Sequence, residues 1–319
     1  MGSRLTIRPP TDYVLARDVC SYGYFLLEPN EWNPEARRFS RVLSVDRSPV
    51  LLTIDQPSES PGGALRARCD RTLTRAQQGD VRRAIARMLH LDGAGSAEAV
   101  AEFHRVDPRF AESGRGRLFR SPTFFEDLVK TVTSCNVAWP STINMNRRLC
   151  EVIEPGFPRP AQLARRRPGT LRARCRVGYR DVRLVELAKL AGRRDSVLHP
   201  SNEAWLTATD VSDDDVLAAL LALPGVGPYA AANLMQLLGR YAHLPVDTET
   251  HRHARAVLGY EGDAKRLTRL VHDHYESFGA HRFRSYWFEL WAFYESKRGP
   301  AETWEKRTTG ASFTASALR

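Results

Sequence analysis

Lysine is scarce in this chain. It occurs only at Lys130, Lys189, Lys265, Lys297 and Lys306, so the stretch from 190 to 264 has no side-chain amine. Arginine supplies the remaining basic charge, and 47 Lys and Arg against 37 Asp and Glu leave the chain at +10. Arginine suits bidentate phosphate contacts and stacking, and a GC-rich gene gives the same bias; the two readings are equally compatible with the composition. Cysteine is also sparse. Cys20, Cys69, Cys135, Cys150 and Cys175 show no CxxC spacing, which argues against a disulfide framework and suits buried thiols in a reducing compartment. No apolar run reaches membrane-spanning length, and no apolar segment follows the first four residues in the manner of a secretory leader. With 42% hydrophobic residues the chain is not a disordered one. A basic, globular chain favours a polyanionic partner over an acidic small molecule.

The first ~75 residues carry β-branched, alternating apolar stretches, and residues 14–27, 41–45 and 50–54 are the strand candidates. Turn signals at Pro29-Asn30, Asp46-Arg47-Ser48-Pro49 and Ser60-Pro61-Gly62-Gly63 separate them too closely for helical crossovers, so the expected sheet is antiparallel. From Thr74 the apolar period becomes helical: Val81, Ile85, Met88 and Leu89 share one face of a segment that Thr74 is placed to cap. Further helices are expected over 124–137, 144–153, 181–191, 213–223, 229–238, 248–258, 264–278 and 284–295. The fold class is therefore α+β, with an antiparallel-sheet domain over 1–74, a helical domain over 75–296, and a flexible tail over 297–319 where apolar periodicity fades.

Two local patterns carry chemistry. In Leu223-Pro224-Gly225-Val226-Gly227-Pro228-Tyr229-Ala230-Ala231-Ala232, one apolar helix ends and another begins after a tight turn. Gly225 and Gly227 permit positive φ and leave the turn's amides uncovered, at a helix start where unpaired N–H groups and the dipole attract a phosphate oxygen. The three alanines let the helices approach. Asp247 stands eighteen residues after Tyr229, within Pro245-Val246-Asp247-Thr248-Glu249-Thr250-His251-Arg252. Alone, Asp247 reads as an N-cap; beside the hairpin it reads also as a carboxylate kept ionised by a helix dipole.

Together the two segments resemble the helix-hairpin-helix DNA glycosylase superfamily (HhH-GPD), with the hairpin at about 216–238 and Asp247 as the catalytic aspartate. The order of a sheet domain followed by a helical domain resembles the 8-oxoguanine and 3-methyladenine glycosylase branch. The resemblance implies an enzyme that flips a damaged or modified base from duplex DNA and hydrolyses its N-glycosidic bond, leaving an abasic site. A carboxylate there would stabilise the developing oxocarbenium charge and orient water. Members with lyase activity place a Schiff-base lysine where this chain has Tyr229, so the expectation is a monofunctional enzyme with Tyr229 lining the base pocket. Gly225, Val226 and Gly227 would grip phosphate, and the carbonyls of Leu223 and Val226 would hold a monovalent cation, K+ or Na+. No cysteine follows Cys175, so no iron–sulfur cluster is expected, nor any other required cofactor.

Other segments extend the resemblance. Thr131-Val132-Thr133-Ser134-Cys135-Asn136 resembles a helix end whose asparagine enters the duplex, although Asn136 equally suits a helix C-cap. Gly178-Tyr179-Arg180 resembles a turn in which tyrosine wedges the stack and arginine reads the orphaned base. Tyr22-Gly23-Tyr24 resembles a segment lining the base pocket, while aromatics on strands also serve packing. Trp287 and Trp291 read as core; by resemblance Phe288 and Trp291 border the pocket. Glu249 replaces the family's histidine, leaving Arg252 or His251 for the phosphate contact. Three other readings remain at this point: a glycosylase directed at hypermodified bases in foreign, phage DNA; a bifunctional glycosylase/lyase; and a non-catalytic hairpin protein that only binds DNA. The expected partner is double-stranded DNA carrying a modified base, bound by a monomer in the cytoplasm, associated with the nucleoid.

Overall fold

The computed structural model describes residues 2–58 and 60–312. Five antiparallel strands open the chain: β1 (Arg4–Ile7), β2 (Asn30–Asn33), β3 (Arg38–Val45), β4 (Ser48–Asp55) and β5 (Leu65–Cys69), in spatial order β1-β5-β4-β3-β2. Strand alternation selects the inner face. Phe39, Leu43 and Val45 of β3 point inward with Val50, Leu52 and Ile54 of β4, in a register that sets Val42 opposite Leu51. The turn at Asp46-Arg47 takes positive φ at both positions (47° and 63°), the twist that a tight hairpin favours.

The longer helices are α1 (Arg75–Leu89), α2 (Ala97–Val106), α3 (Phe124–Ser134), α4 (Trp139–Val152), α5 (Asp181–Leu190), α6 (Asp213–Leu221), α7 (Pro228–Leu237), α8 (Thr248–Ala256), α9 (Ala264–Tyr275) and α10 (Arg282–Arg298). Thr74 caps α1 in a reciprocal box with Gln77: Thr74 Oγ1 accepts from the Gln77 amide at 3.3 Å, and Gln77 Oε1 from the Thr74 amide at 3.0 Å. The sequence-predicted helix faces are buried as expected, Val81, Ile85, Met88 and Leu89 among them. Helix α2, capped by Ser96 and anchored by Val100 and Phe103, was not anticipated.

Two expectations are corrected. Residues 14–27 form no strand: Leu15–Val19 is a short helix and Gly23–Leu26 a 3-10 turn. Nearly every side chain in this run is buried, so there is no polar face for a half-exposed strand, and Asp18 Oδ2 accepts the Val14 amide at 3.0 Å at the start of the turn. The expected flexible tail over 297–319 is packed as far as Ser312. Trp304 is 1% exposed, with its ring 5.4 Å from that of Trp291, and Trp32 donates to the Glu302 carbonyl at 2.7 Å. Lys306 pairs with Glu28 at 2.7 Å. One aromatic anchor and a few polar contacts hold a segment that lacks helical periodicity; residues 313–319 lie outside the described residues.

Nor does the sheet have a core of its own. Its inner face merges with Phe283, Tyr286, Trp291, Tyr294 and Trp304 from the C-terminal end, whereas α3 to α7 enclose a second apolar cluster. A buried ion group pins the seam: Arg41 of β3 meets Glu126 of α3 at 2.9 Å, and Lys130 meets it at 2.8 Å. Burial raises the Glu126 carboxyl, but the two cations prevail and hold it below its ordinary value. The two clusters meet along a cleft.

Candidate active site

The cleft is a cavity of about 1100 Å³, above the roughly 300–1,000 Å³ usual for small-ligand sites. One wall is the hairpin. Helix α6 is capped by Ser212, which accepts the Asp215 amide at 3.1 Å; the chain turns through residues 222–227 and α7 begins at Pro228. Val226, 5% exposed, plugs the turn into the second core, and its amide donates to the Leu223 carbonyl at 3.1 Å. Gly225 has φ +75°, and a Cβ there would lie 2.4 Å from Cδ of Arg183. Gly227 corrects the expectation of positive φ at both glycines: its φ is −95°, which any residue adopts, and a Cβ would meet nothing within 4 Å. Nothing inside the fold requires its missing side chain; what the absence leaves open is the approach from solvent to the first amides of α7. Ala231 makes a helical bond to the Gly227 carbonyl at 2.9 Å, and the amides before it are those that a helix leaves without carbonyl partners.

Asp247 faces this turn across the cavity. It is the N-cap of α8, with Oδ1 accepting the amides of Glu249 (2.9 Å) and Thr250 (3.0 Å) and lying 3.1 Å from Thr250 Oγ1. Thr250 Oγ1 also stands 2.8 Å from the Tyr286 hydroxyl. The cap leaves this carboxylate at the cavity: the donors of its own helix converge on Oδ1, which orients the group, while the residue borders the open space. Tyr229 stands opposite. Burial and then the negative charge of Asp247 push its phenol well above the usual 10, so it stays neutral. Cys135, at the cavity edge, is raised to about 11 by burial and remains a thiol, a poor nucleophile.

The other wall is aromatic. Tyr22 lies with its ring centroid 4.7 Å from Tyr24 and 4.8 Å from Trp287. Each ring is tethered: Gln236 Nε2 donates to Tyr22 Oη at 3.1 Å, Tyr24 Oη lies 2.7 Å from Thr131 Oγ1, and Trp287 Nε1 donates to the Ser21 carbonyl at 2.8 Å. Behind them Arg41 donates to Asn30 Oδ1 (2.9 Å), whose Nδ2 donates to the Tyr24 carbonyl (2.8 Å), so the buried ion group also fixes this wall.

Of the residues selected from sequence, Tyr22, Gly23, Tyr24, Asn136, Tyr179, Arg180, Gly225, Val226, Gly227, Tyr229, Asp247 and Arg252 all border the cavity. Three do not. Phe288 is 1% exposed and packs at 5.8 Å on Phe110, and Trp291 is sandwiched between Trp287 and Trp304; both border a separate small cavity of about 60 Å³. Helix α10 turns Tyr286, Trp287, Leu290 and Tyr294 to the cleft instead, and Phe288 stands about 100° round the helix from Trp287. His251 faces α9, 2.9 Å from Thr268 Oγ1, which leaves Arg252 on the cleft. Asn136 is exposed with φ +54°, the left-handed conformation of a residue just past a helix end. Tyr179 is 53% exposed at the cavity rim. Arg180 departs from its expected role: it is 4% exposed, and its guanidinium donates to the carbonyls of Val132 (3.0 Å) and Cys135. It ties the turn at Gly178–Arg180 to the end of α3. The sequence reading missed Trp287, Asn233, Tyr286, Leu290 and Tyr294; the aromatic run over 283–294 was the available signal, without the helix phase.

Among the described residues no group of three His, Cys, Asp or Glu side chains is placed to hold a metal ion, and no helix is long and apolar enough to cross a membrane. No family model matches the sequence, and no curated protein matches it. Solved structures do. A 3-methyladenine DNA glycosylase from Archaeoglobus fulgidus superposes with a TM-score of 0.63 at 15% identity, over 91% of this chain and 98% of that one. An 8-oxoguanine glycosylase/lyase from Clostridium acetobutylicum, in its apo form, gives 0.63 at 16% over 91% and 98%. The same enzyme with duplex DNA containing cytosine opposite 8-oxoguanine gives 0.62 at 16% over 93% and 98%. The chain shares the overall fold of these solved DNA glycosylases.

Proposed function

We propose that this chain is a monofunctional DNA glycosylase that binds duplex DNA, draws a modified base into the cleft and hydrolyses its N-glycosidic bond. One observation carries the reading: Asp247, oriented through Oδ1, borders a cavity with phosphate-accepting main chain on one wall and stacking rings on the other. As the base departs with the bonding electrons, positive charge grows at the sugar; the carboxylate stabilises it, water adds at the anomeric carbon, and its proton is released as the base takes one up. Water is the nucleophile in this reading because, among the described residues, no lysine borders the cavity.

The test is a panel of duplexes, each with one oxidised, alkylated or hypermodified base, assayed for release of free base by the wild type and by Asp247→Asn. Release by the wild type alone is the expected outcome; release by neither, from any duplex, sinks the reading. Borohydride is expected to trap no covalent adduct, and a trapped one would replace water by an amine. The hairpin carbonyls also suit a monovalent cation: Leu223 O accepts one hydrogen bond, from Val226 at 3.1 Å, and retains a lone pair. Exchanging K+ for a bulky organic cation at constant ionic strength is expected to weaken duplex binding.

A further inference from the structure

A second cavity, of about 870 Å³, lies between the sheet, α1 and the start of α3, within the size range usual for small-molecule sites. It shares no lining residue with the cleft: α3 brings Phe125 and Glu126 to this cavity and Val132 and Ser134 to the other. Five arginines line it, Arg41, Arg83, Arg87, Arg120 and Arg159, against four acids, Asp80, Asp92, Glu126 and Glu203. Three pairs cancel: Arg41 meets Glu126 at 2.9 Å, Arg83 meets Asp80, and Arg87 meets Glu203. Behind them Lys130 on Glu126 and Asp127 on Arg87 also balance. What remains is Arg120 and Arg159 against the exposed Asp92, a surplus of one positive charge.

Arg120 is only 7% exposed. Its Nε and Nη1 donate to the carbonyls of Arg87 (2.7 Å) and Leu237 (2.9 Å); among the described residues its Nη2 has no partner, and no carboxylate pairs with it. Burial and then the charge of Arg87 lower its pKa to about 10, which leaves it a cation at neutral pH. A buried cation without a counter-ion is costly, and the fold supplies none. Arg159, set between two prolines, has a guanidinium that enters no hydrogen bond and no ion pair among the described residues, with Nε buried. Val42, Phe125, Phe157, Pro158 and Pro160 make apolar wall, and the prolines offer it no amide.

We propose that this cavity binds a small carboxylic acid with an apolar body, the carboxylate on Arg120 and the body against Phe125 and Phe157. The single surplus charge matches a monoanion, and the guanidinium fork suits a carboxylate. A dianion would add repulsion from Glu126 and Glu203. No residue of the cleft is used, so the inference stands apart from the glycosylase reading.

The experiment measures binding of 4-phenylbutyrate, phenylacetate, 4-phenylbutanamide and phenyl phosphate to the full chain by calorimetry at constant ionic strength. 4-Phenylbutyrate is expected to bind. Phenylacetate, two methylenes shorter, should bind about tenfold more weakly, the neutral amide at least about tenfold more weakly than its acid, and doubly charged phenyl phosphate more weakly than phenylacetate. Arg120→Met is expected to abolish binding. Because that variant also gives up two main-chain bonds, Arg159→Glu is the second: its side chain holds nothing in the fold, so Tm should stand while affinity falls at least about tenfold. Trp287→Leu, in the other cavity, should bind 4-phenylbutyrate as the wild type does. A wild type that binds no member of the series overturns the proposal, as does an amide that matches its acid, or a longer body that gains nothing. Tighter binding of phenyl phosphate makes this a phosphate site instead. Affinity that Arg159→Glu leaves intact, or that Trp287→Leu removes, takes the ligand out of this cavity.

Discussion

On one side of the cleft the turn 222–227 presents main chain; on the other Tyr22, Tyr24 and Trp287 present rings. The first wall works by what it omits. Gly227 has no internal neighbour that excludes a side chain, yet carries none, and the helix start beyond it stays open to an anion. The second wall works by mass, and each ring needs a tether from an element distant in sequence: Gln236 for Tyr22, Thr131 for Tyr24, Ser21 for Trp287. Asp247 stands between them and belongs to neither, being positioned by amides of its own helix. On the proposed function the contrast implies separable duties: the main-chain wall would hold the duplex, the aromatic wall the base, and the carboxylate would act on the sugar.

The largest break in this division comes at the carboxylate. Asp247→Asn preserves a good N-cap and removes the charge, so excision under single-turnover conditions is expected to fall at least about a hundredfold, roughly 3 kcal/mol. Affinity for an abasic-analogue duplex should change little, and Tm should hold. A slow variant that also binds poorly would place Asp247 in the duplex-holding wall. Next in size is Trp287→Leu. Losing one stacking ring is worth roughly 1–3 kcal/mol per base, so excision is expected to drop on the order of tenfold while the abasic duplex, which has no base to stack, binds normally. Phe288→Leu, one residue on, should cost roughly 1 kcal/mol of stability and leave excision of the folded enzyme unchanged; equal effects of the two on excision would contradict the helix phase described above.

That phase marks where the sequence stopped being readable. The hairpin was legible because its requirement is local, a glycine and proline pattern within ten residues, and Asp247 because its distance from the hairpin is itself part of the pattern. The sheet's middle strands and most helices followed from alternation and helical period. Residues 14–27 misled because burial on all sides erases the alternation that distinguishes a strand from a short helix. Residues 297–312 misled because their anchor, Trp304, packs on Trp291 rather than on anything periodic nearby. For Phe288 against Trp287 the chain offers two adjacent aromatics, and which of them turns to the cleft depends on how α10 rolls against Phe103 and Phe110. Arg180 is the same problem in charge: carbonyls at the end of α3, some 45 residues earlier, occupy its guanidinium.

The smallest expected effects are also the sharpest test of the main-chain wall, because its two glycines should fail in opposite ways. Gly225→Ala forces a side chain into left-handed backbone at φ +75° and against Arg183 Cδ, so stability is expected to fall by roughly 1–2 kcal/mol, visible as a lower Tm. Gly227→Ser meets no obstacle and introduces a preferred N-cap, so Tm should stay level or rise. Yet the new hydroxyl folds over the very amides that a phosphate oxygen would use. Duplex affinity is then expected to drop about fivefold, roughly the worth of one hydrogen bond, with a shallower salt dependence, because a lost phosphate contact releases fewer counterions. A Gly227→Ser protein that is no less stable and binds duplex DNA as tightly as the wild type would move the phosphate away from this turn, and the assignment of duties to the two walls would have to be redrawn.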